Sequence, residues 1–254
     1  MDIRAAAAGF YDADPGHPAD LPFHMSRLLR SDMQILELGS GTGRVLVPLA
    51  ERCSHIHGIE ISEAMVSICR RKMEAAHLPA ARATVSVGDI SDFALNQGFD
   101  FILAPFRVLQ NLSTDQQVAG LFRCIGRHLN DDGACILNVF STYAPPDVIA
   151  REWVSDIEHF EWEVPYGGGT LRRWCRNTRM TVDPLVLYPD LIHRLSRDGE
   201  IVDEAVLSIA MRCYYPDQFT RLVVTQGFRP TAFYGGYAGE KYGEGPELVI
   251  QFGK

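Results

Sequence analysis

The stretch Ile35-Leu36-Glu37-Leu38-Gly39-Ser40-Gly41-Thr42-Gly43-Arg44-Val45 decides how the rest of the chain reads. Ile35, Leu36 and Leu38 supply a buried strand, and Val45, Leu46, Leu49 and Ala50 continue at helical spacing. Between them, Gly39, Gly41 and Gly43 let the backbone turn tightly and let a ligand lie against main-chain N–H groups with no Cβ in the way. The start of the helix behind the turn adds unpaired donors and partial positive charge. The dinucleotide fingerprint is G-x-G-x-x-G, and Arg44 stands where its third glycine would fall, which counts against a nicotinamide cofactor.

Working outward, apolar segments and turn signals alternate. A helical preface covers Ala5 to Tyr11 and Leu21 to Arg30, interrupted by a Pro/Gly loop at 12–18. Strands are expected at Gln34–Leu38, His55–Ile61, Ala83–Val87, Phe99–Ala104 and Ala134–Phe140. Helices are expected from Gly43 to Arg52, after the N-cap Ser62, and from Thr114 to Leu129, with a turn at Asp131-Asp132-Gly133. Strands alternating with helices predict a parallel, doubly wound sheet, whose ligands sit beyond the carboxyl ends of the strands. Gly39, Glu60, Asp89 and Pro105 all lie at such ends.

After Ser141 the texture changes to extended, period-two stretches at 158–164, 170–179, 191–196 and 201–211. Gly167-Gly168-Gly169 and Asp198-Gly199 punctuate them as turns. This predicts an antiparallel insert over the active edge of the sheet. From Pro216 the α/β pattern resumes, with a helix at 216–226 and strands at 230–235 and 247–252. The expected division is therefore a helical cap (1–32), a core (33–141 and 215–254) and a β-rich lid (142–214) that forms an acceptor pocket.

The 254 residues, 46% hydrophobic and 22% charged, suit a globule with a real core. A net charge of −8 offers no basic footprint for nucleic acid. Six cysteines without C-x-x-C spacing, no signal-peptide pattern and no apolar run of membrane-spanning length place the chain in a reducing cytoplasm, with no membrane association expected.

The E-x-G-x-G-x-G form of the turn resembles motif I of the class I S-adenosylmethionine (SAM) methyltransferases. The strand ends at Glu60, Asp89 and Ala104-Pro105-Phe106 resemble that family's next three motifs in order and spacing. Leu129-Asn130-Asp131-Asp132-Gly133 resembles its L-x-P-G-G turn, with Asp132 in place of proline. Tyr11 is similar to the tyrosine that folds over the donor in the small-molecule branch, which includes amino-sugar N-methyltransferases. Tyr214-Tyr215-Pro216-Asp217-Gln218-Phe219 looks like that branch's exit from its insert. The resemblance implies an α/β, Rossmann-like, doubly wound and mostly parallel seven-stranded sheet, with an antiparallel β insert after strand five. It also implies SAM as cofactor, S-adenosylhomocysteine as product and a small-molecule methyl acceptor.

Carried over residue by residue, Tyr11, Gly39, Ser40, Gly41 and Gly43 line the methionine end of SAM, and Glu37 either accepts from backbone N–H groups of the loop or approaches the SAM amino group. Glu60 ends strand two 21 residues after Gly39, a spacing that suits a carboxylate on the ribose hydroxyls, unless it is a surface acid beside His57. Gly88 and Asp89 meet the adenine amino group, unless Asp89 merely caps a helix at 90–94. Ile61, Met65 and Ile90 sandwich the adenine or belong to the core. Ala104, Pro105 and Phe106 pass the methyl donor, with Phe106 either an acceptor wall or a core aromatic, and Gln110 lines either the cofactor or the acceptor site. The polar clamp of DNA amino-methyltransferases is missing from Ala104-Pro105-Phe106.

Methyl transfer from an activated donor needs alignment and dryness, and a base only where the acceptor must lose a proton. Candidate catalytic residues are Tyr11, His159 and His193, with His17 also in reach of that role; a lone histidine is more often a core or surface residue than a base. Trp153, Phe160, Trp162, Tyr166 and Trp174 build either an acceptor pocket or the lid's own packing. Arg172, Arg173 and Arg176 meet either an anionic acceptor or solvent. No metal is expected, since Asp131-Asp132 suits a turn better than a ligand pair. A homodimer is compatible with the sequence. The rival readings are a catalytically silent SAM-binding subunit or sensor and, less favoured, a nicotinamide oxidoreductase.

Overall fold

The computed structural model describes residues 2–254. Seven strands form one sheet: β1 (Gln34–Leu38), β2 (His55–Glu60), β3 (Ala83–Val87), β4 (Phe99–Ala104), β5 (Leu129–Phe140), β11 (Arg229–Tyr234) and β12 (Glu247–Gly253). Their order is β11-β12-β5-β4-β1-β2-β3. β1, β2, β3, β4 and β5 pair in parallel, and β12 runs antiparallel to both β5 and β11. The order reverses between β1 and β4, so the ends of these two strands open the crevice where such sheets bind ligands.

Strand alternation sorts the central side chains onto two faces. Leu36, Leu38 and Ile102 pack with Leu121, Phe122 and Ile125 of α4 (Asp115–His128) and with Phe219 and Val223 of α6 (Pro216–Thr225). Ile35, Phe101 and Leu103 pack with Leu46, Leu49 and Ala50 of α2 (Leu46–Ala50) and with Cys69 and Met73 of α3 (Glu63–Ala75). Burial on both faces explains why the central strands read as apolar runs rather than as alternating ones. Thr114 caps α4 in a capping box with Gln117, and Ser62 caps α3 by accepting from the Met65 N–H.

The insert is a second, antiparallel sheet: β6 (His159–Tyr166), β7 (Gly169–Val182), β8 (Leu185–Arg197), β9 (Glu200–Ser208) and β10 (Met211–Arg212), with β9 and β10 both paired to β8. Both expected turns are present. Gly167 and Gly168 take φ of 53° and 77°, and Asp198 and Gly199 take 52° and 86°, the doubly left-handed pattern of two-residue hairpins. The N-terminal segment, a 3-10 helix at Ala5–Ala13, meets α3 of the core and β9 of the insert. Its Ala7 and Phe10 pack on Leu171, Leu195 and Ala205 of the lid.

Several element expectations are corrected. The preface begins as a 3-10 helix, and α1 covers only Leu21–Met25 rather than running to Arg30, because beyond it the backbone bonds tighten to the i−3 carbonyl, Arg27 N–H to His24 at 3.0 Å and Leu28 N–H to Met25 at 3.1 Å. α2 starts at Leu46 rather than at Gly43, since Gly43 takes φ +79°. The Asp131–Gly133 turn is a bulge inside β5: Phe99 pairs with Leu129 but Phe101 pairs with Ala134. A helix α5 (Pro146–Glu152) and the hairpin bend at Asp183-Pro184 had no expectation. Among the described residues, no helix is long and apolar enough to cross a membrane, and all six cysteines are free.

Candidate active site

The glycine turn leaves β1 and is tied at once to the neighbouring strand. The Gly39 and Ser40 N–H groups donate to the Ile59 carbonyl at 2.8 and 3.1 Å. Gly39, Gly41 and Gly43 all take positive φ, at 69°, 54° and 79°. A Cβ on Gly39 would stand 2.6 Å from Val108 Cγ2, and one on Gly43 would stand 2.7 Å from Cys69 Sγ. Glycine is required there by both conformation and space. The Glu60 carboxylate closes the turn from β2, accepting from the Gly41 N–H at 3.0 Å and the Ser62 N–H at 2.9 Å.

Glu37 lies beneath the turn, fully buried, and its Oε2 has no hydrogen-bond partner. Burial pushes its carboxyl well above the usual carboxylate range, against the pull of Arg44. Ser40 Oγ is likewise buried and unpartnered. Two polar atoms left unsatisfied beside left-handed glycines make a cradle for a ligand with polar groups of its own.

The N-terminal segment covers this cradle. The Tyr11 ring lies over Gly41, with Cε1 4.0 Å from where a Cβ would stand, and its hydroxyl pKa is pushed up by burial, so the phenol stays neutral. Tyr11, His17 and Phe106 form an aromatic group: the His17 centroid is 4.8 Å from Tyr11 and 5.1 Å from Phe106, and Arg44 stands 5.7 Å from the Phe106 ring centre. His17 Nε2 is buried without a partner, and burial followed by Arg44 lowers its pKa. Salt and hydrogen bonds fasten the cap. Arg44 grips Asp20 at 2.6 and 2.8 Å, Thr42 Oγ1 donates to Asp12 at 2.6 Å, and Lys72 pairs with Asp12 at 2.7 Å.

The remaining expected cofactor residues gather at the ends of β2, β3 and β4. The Gly88 N–H donates to the Glu60 carbonyl at 2.9 Å; Met65 and Ile90 are buried, and Ile61 is exposed. Asp89 is exposed, and its Oδ1 accepts from both the Ser91 N–H and its hydroxyl at 2.8 Å. It thus makes an Asx turn and caps no helix. Ala104 and Pro105 are buried, and Phe106 turns toward the cap. Gln110 is committed elsewhere: its Nε2 donates to the Arg212 carbonyl and its Oε1 accepts from the Phe140 N–H, both at 2.8 Å. It joins the core to the lid rather than offering free polar atoms.

The two lid histidines are not brought to the glycine turn. His159 is exposed at the start of β6. His193 is buried behind the cap, its ring 5.9 Å from Phe10 and 6.0 Å from Trp162, and burial lowers its pKa to about 4. Phe10 faces the lid and Tyr11 faces the turn, so the cap separates His193 from the cradle. The lid aromatics pack among themselves and against arginine: Trp162 on Arg173 at 5.0 Å, Trp174 on Phe160 at 5.8 Å and on Arg194 at 4.9 Å. Trp153 belongs to the cluster joining lid and core, and the Tyr166 hydroxyl donates to the Gly9 carbonyl. Arg172 pairs with Glu163 at 2.8 Å, Arg173 with Glu161 and Asp14, and Arg176 with Asp190 at 3.0 Å. These cations are already neutralised. Among the described residues, no cluster of metal-ligating side chains is present.

Sequence reasoning missed the Asp20–Arg44 pair and the group Arg107, Asn138 and Glu247. Arg44 was legible only as the residue that breaks a dinucleotide pattern, and no local signal marks residues that meet across more than a hundred positions.

Residues 35–133 match the family model described as "Methyltransferase domain". The chain is 26% identical over 181 residues to the dTDP-3-amino-3,6-dideoxy-alpha-D-glucopyranose N,N-dimethyltransferase of Streptomyces fradiae, covering 68% of this chain and 64% of that protein. The chain spans about half the length of the first curated relatives it matches. The CcbJ methyltransferase of Streptomyces caelestis has a similar fold, with a TM-score of 0.79 at 21% identity over 100% of this chain and 98% of that one. The SAM-bound amino pentose methyltransferase CalS10 of Micromonospora echinaspora gives a TM-score of 0.67 at 20% identity, over 96% and 94% of the two chains. The chain resembles the class I SAM methyltransferases, amino-sugar N-methyltransferases included, in motif order, matched domain and fold.

Proposed function

We propose that this protein is a SAM-dependent methyltransferase that methylates a nitrogen of a small, amino-bearing metabolite. The observation that carries the reading is the cradle. Three left-handed glycines form the turn, the Tyr11 ring lies over Gly41, the Glu60 carboxylate stands at the end of β2, and Glu37 Oε2 and Ser40 Oγ are buried without partners. These groups fit SAM: Glu37 and Ser40 would hold its amino acid end, Glu60 its ribose, and Asp89 and the apolar Met65 and Ile90 its adenine. SAM supplies an already activated methyl carbon on a sulfonium.

The chain's own residues then align and exclude water. Tyr11 and Phe106 wall the cradle, and the Asp20–Arg44 pair keeps the cap in place. Nitrogen is favoured over oxygen because an amine needs only to be neutral, and His17, the titratable group beside Tyr11 and Phe106, is a weak base in this setting. The printed names of the relative from Streptomyces fradiae and of CalS10, both acting on amino sugars, support the same class. The net charge of −8 supports a small acceptor over nucleic acid. A SAM-binding sensor is the second reading, favoured only by the commitment of lid arginines and aromatics to internal contacts.

The test is incubation with SAM and a panel of amino sugars, each beside its hydroxyl counterpart, read by mass spectrometry. Methylated amines with untouched hydroxyl counterparts support the reading. Methylation of hydroxyls alone moves the reaction to oxygen, and SAM binding with no product across the panel favours the sensor.

A further inference from the structure

The turn after β4 adopts a conformation that its own sequence does not favour. Phe106 and Arg107 take φ of 54° and 66° in succession, and neither is glycine. Side chains resist this region, and such backbone persists where its surroundings over-determine it. The turn has two products at the cradle. It aims Phe106 at Tyr11 and His17, and it sets Val108 against Gly39 so closely that no Cβ fits between them.

What holds the turn comes from the far end of the chain. The Arg107 N–H donates to Asn138 Oδ1 at 3.1 Å, from β5. Asn138 Nδ2 in turn donates to Glu247 Oε2 at 2.9 Å, from the first residue of β12. Glu247 Oε1 receives the Arg107 guanidinium through both Nε, at 2.9 Å, and Nη2. Asn138 and Glu247 are buried, and the Glu247 N–H is itself anchored to the Gly235 carbonyl at 2.9 Å. Both polar ends of Asn138 and both oxygens of Glu247 are used, so the group is satisfied without a ligand.

Resting on the reading of the cradle as a SAM site, we propose that Glu247 is a positioning residue. Through Asn138 and Arg107 it clamps the left-handed Phe106-Arg107 turn, and so sets the wall over the donor methyl and the packing of Val108 on the glycine turn. It touches neither donor nor acceptor.

The experiment compares wild type, Glu247→Gln, Arg107→Gly and the double variant by hydrogen exchange and by titration with S-adenosylhomocysteine. Glycine takes positive φ without strain, so Arg107→Gly relieves the turn and removes the guanidinium arm of the clamp, while the backbone N–H at 107 still donates to Asn138. The expected result is faster exchange at residues 105–112 and 39–43 in Glu247→Gln, with the rest of the sheet protected as in wild type. Affinity falls about tenfold in Glu247→Gln, and adding this change to Arg107→Gly costs less than it does in wild type, because the guanidinium arm of the clamp is already gone. Unchanged exchange in the turn, or equal and additive losses in both backgrounds, overturns the proposal. If wild type fails to bind S-adenosylhomocysteine, the SAM reading falls, and exchange in the turn still decides whether Glu247 is a clamp.

Discussion

Arg44, in the glycine turn, and Asp20, in the N-terminal cap, form a two-pronged ion pair with contacts of 2.6 and 2.8 Å and a fully buried carboxylate. The pair joins the segment that covers the cradle to the cradle itself. Removing one partner leaves a charge with little water, a loss of about 3 kcal/mol for buried pairs. Asp20→Ala is therefore expected to lower stability toward urea by about that amount, at the low end because Arg44 keeps some exposure. It also frees the cap, so digestion by a protease is expected to begin within residues 2–30.

The three glycines of the turn differ in what a side chain would meet. At Gly39 the added methyl overlaps Val108 at 2.6 Å, and the backbone at φ +69° is strained as well. Gly41 has a similar φ, but its Cβ would meet nothing nearer than Tyr11 at 4.0 Å. Gly41→Ala is expected to cost about 1 kcal/mol from backbone strain alone, and Gly39→Ala about 3 kcal/mol or more. Chemical denaturation of the two variants checks the order, and an equal loss contradicts the packing argument.

Tyr11 serves by coverage rather than by acidity. Burial, the largest influence, holds its hydroxyl protonated above the ordinary tyrosine range. Tyr11→Phe is expected to keep S-adenosylhomocysteine affinity within about threefold, whereas Tyr11→Ala loses about tenfold, as removal of an aromatic contact does. A large loss in Tyr11→Phe would make the hydroxyl the working group.

Stability is expected to fall on acidification. Burial pushes His24 down to about 4, outweighing Asp20, whose Oδ2 lies 3.8 Å away. In the unfolded chain histidine titrates near about 6.5. Between those values the unfolded chain holds a proton that the fold lacks, so stability rises with pH through the window and is lost as pH falls. At about 1.4 kcal/mol per pH unit, His24 alone removes about 3 kcal/mol by pH ~4. His57 and His193, also lowered to about 4, act in the same window. Glu37, whose carboxyl is raised, acts in the opposite direction, since the fold keeps its proton after the unfolded chain has released it. Melting temperatures from pH 7 to pH 5 are expected to drop, and to drop less steeply in His24→Gln.

The core was legible because periodicity and glycine spacing are local. Ile35 to Val45, Glu60, Asp89 and Pro105 announced strand ends, and the sheet order places them together. The lid's turns were legible at Gly167-Gly168 and Asp198-Gly199 for the same reason. What stayed hidden depends on contacts between distant positions. Gln110 read as a pocket residue because its neighbours did, yet its amide is consumed by Arg212 and Phe140. His193 read as a base candidate, yet Phe10 stands on the same side of the cap as its ring. Nothing local in Glu247 marks it as the partner of Arg107.

If the cradle is a SAM site, calorimetric titration with S-adenosylhomocysteine reads its affinity with no acceptor needed. NAD serves as the control ligand and Glu60→Gln as the control variant, the latter keeping an acceptor for the Gly41 N–H. A dissociation constant on the order of micromolar is expected for wild type, weakened about tenfold or more in folded Glu60→Gln, with no NAD binding. Folded wild-type protein that ignores S-adenosylhomocysteine, or that takes NAD instead, would contradict a SAM site there.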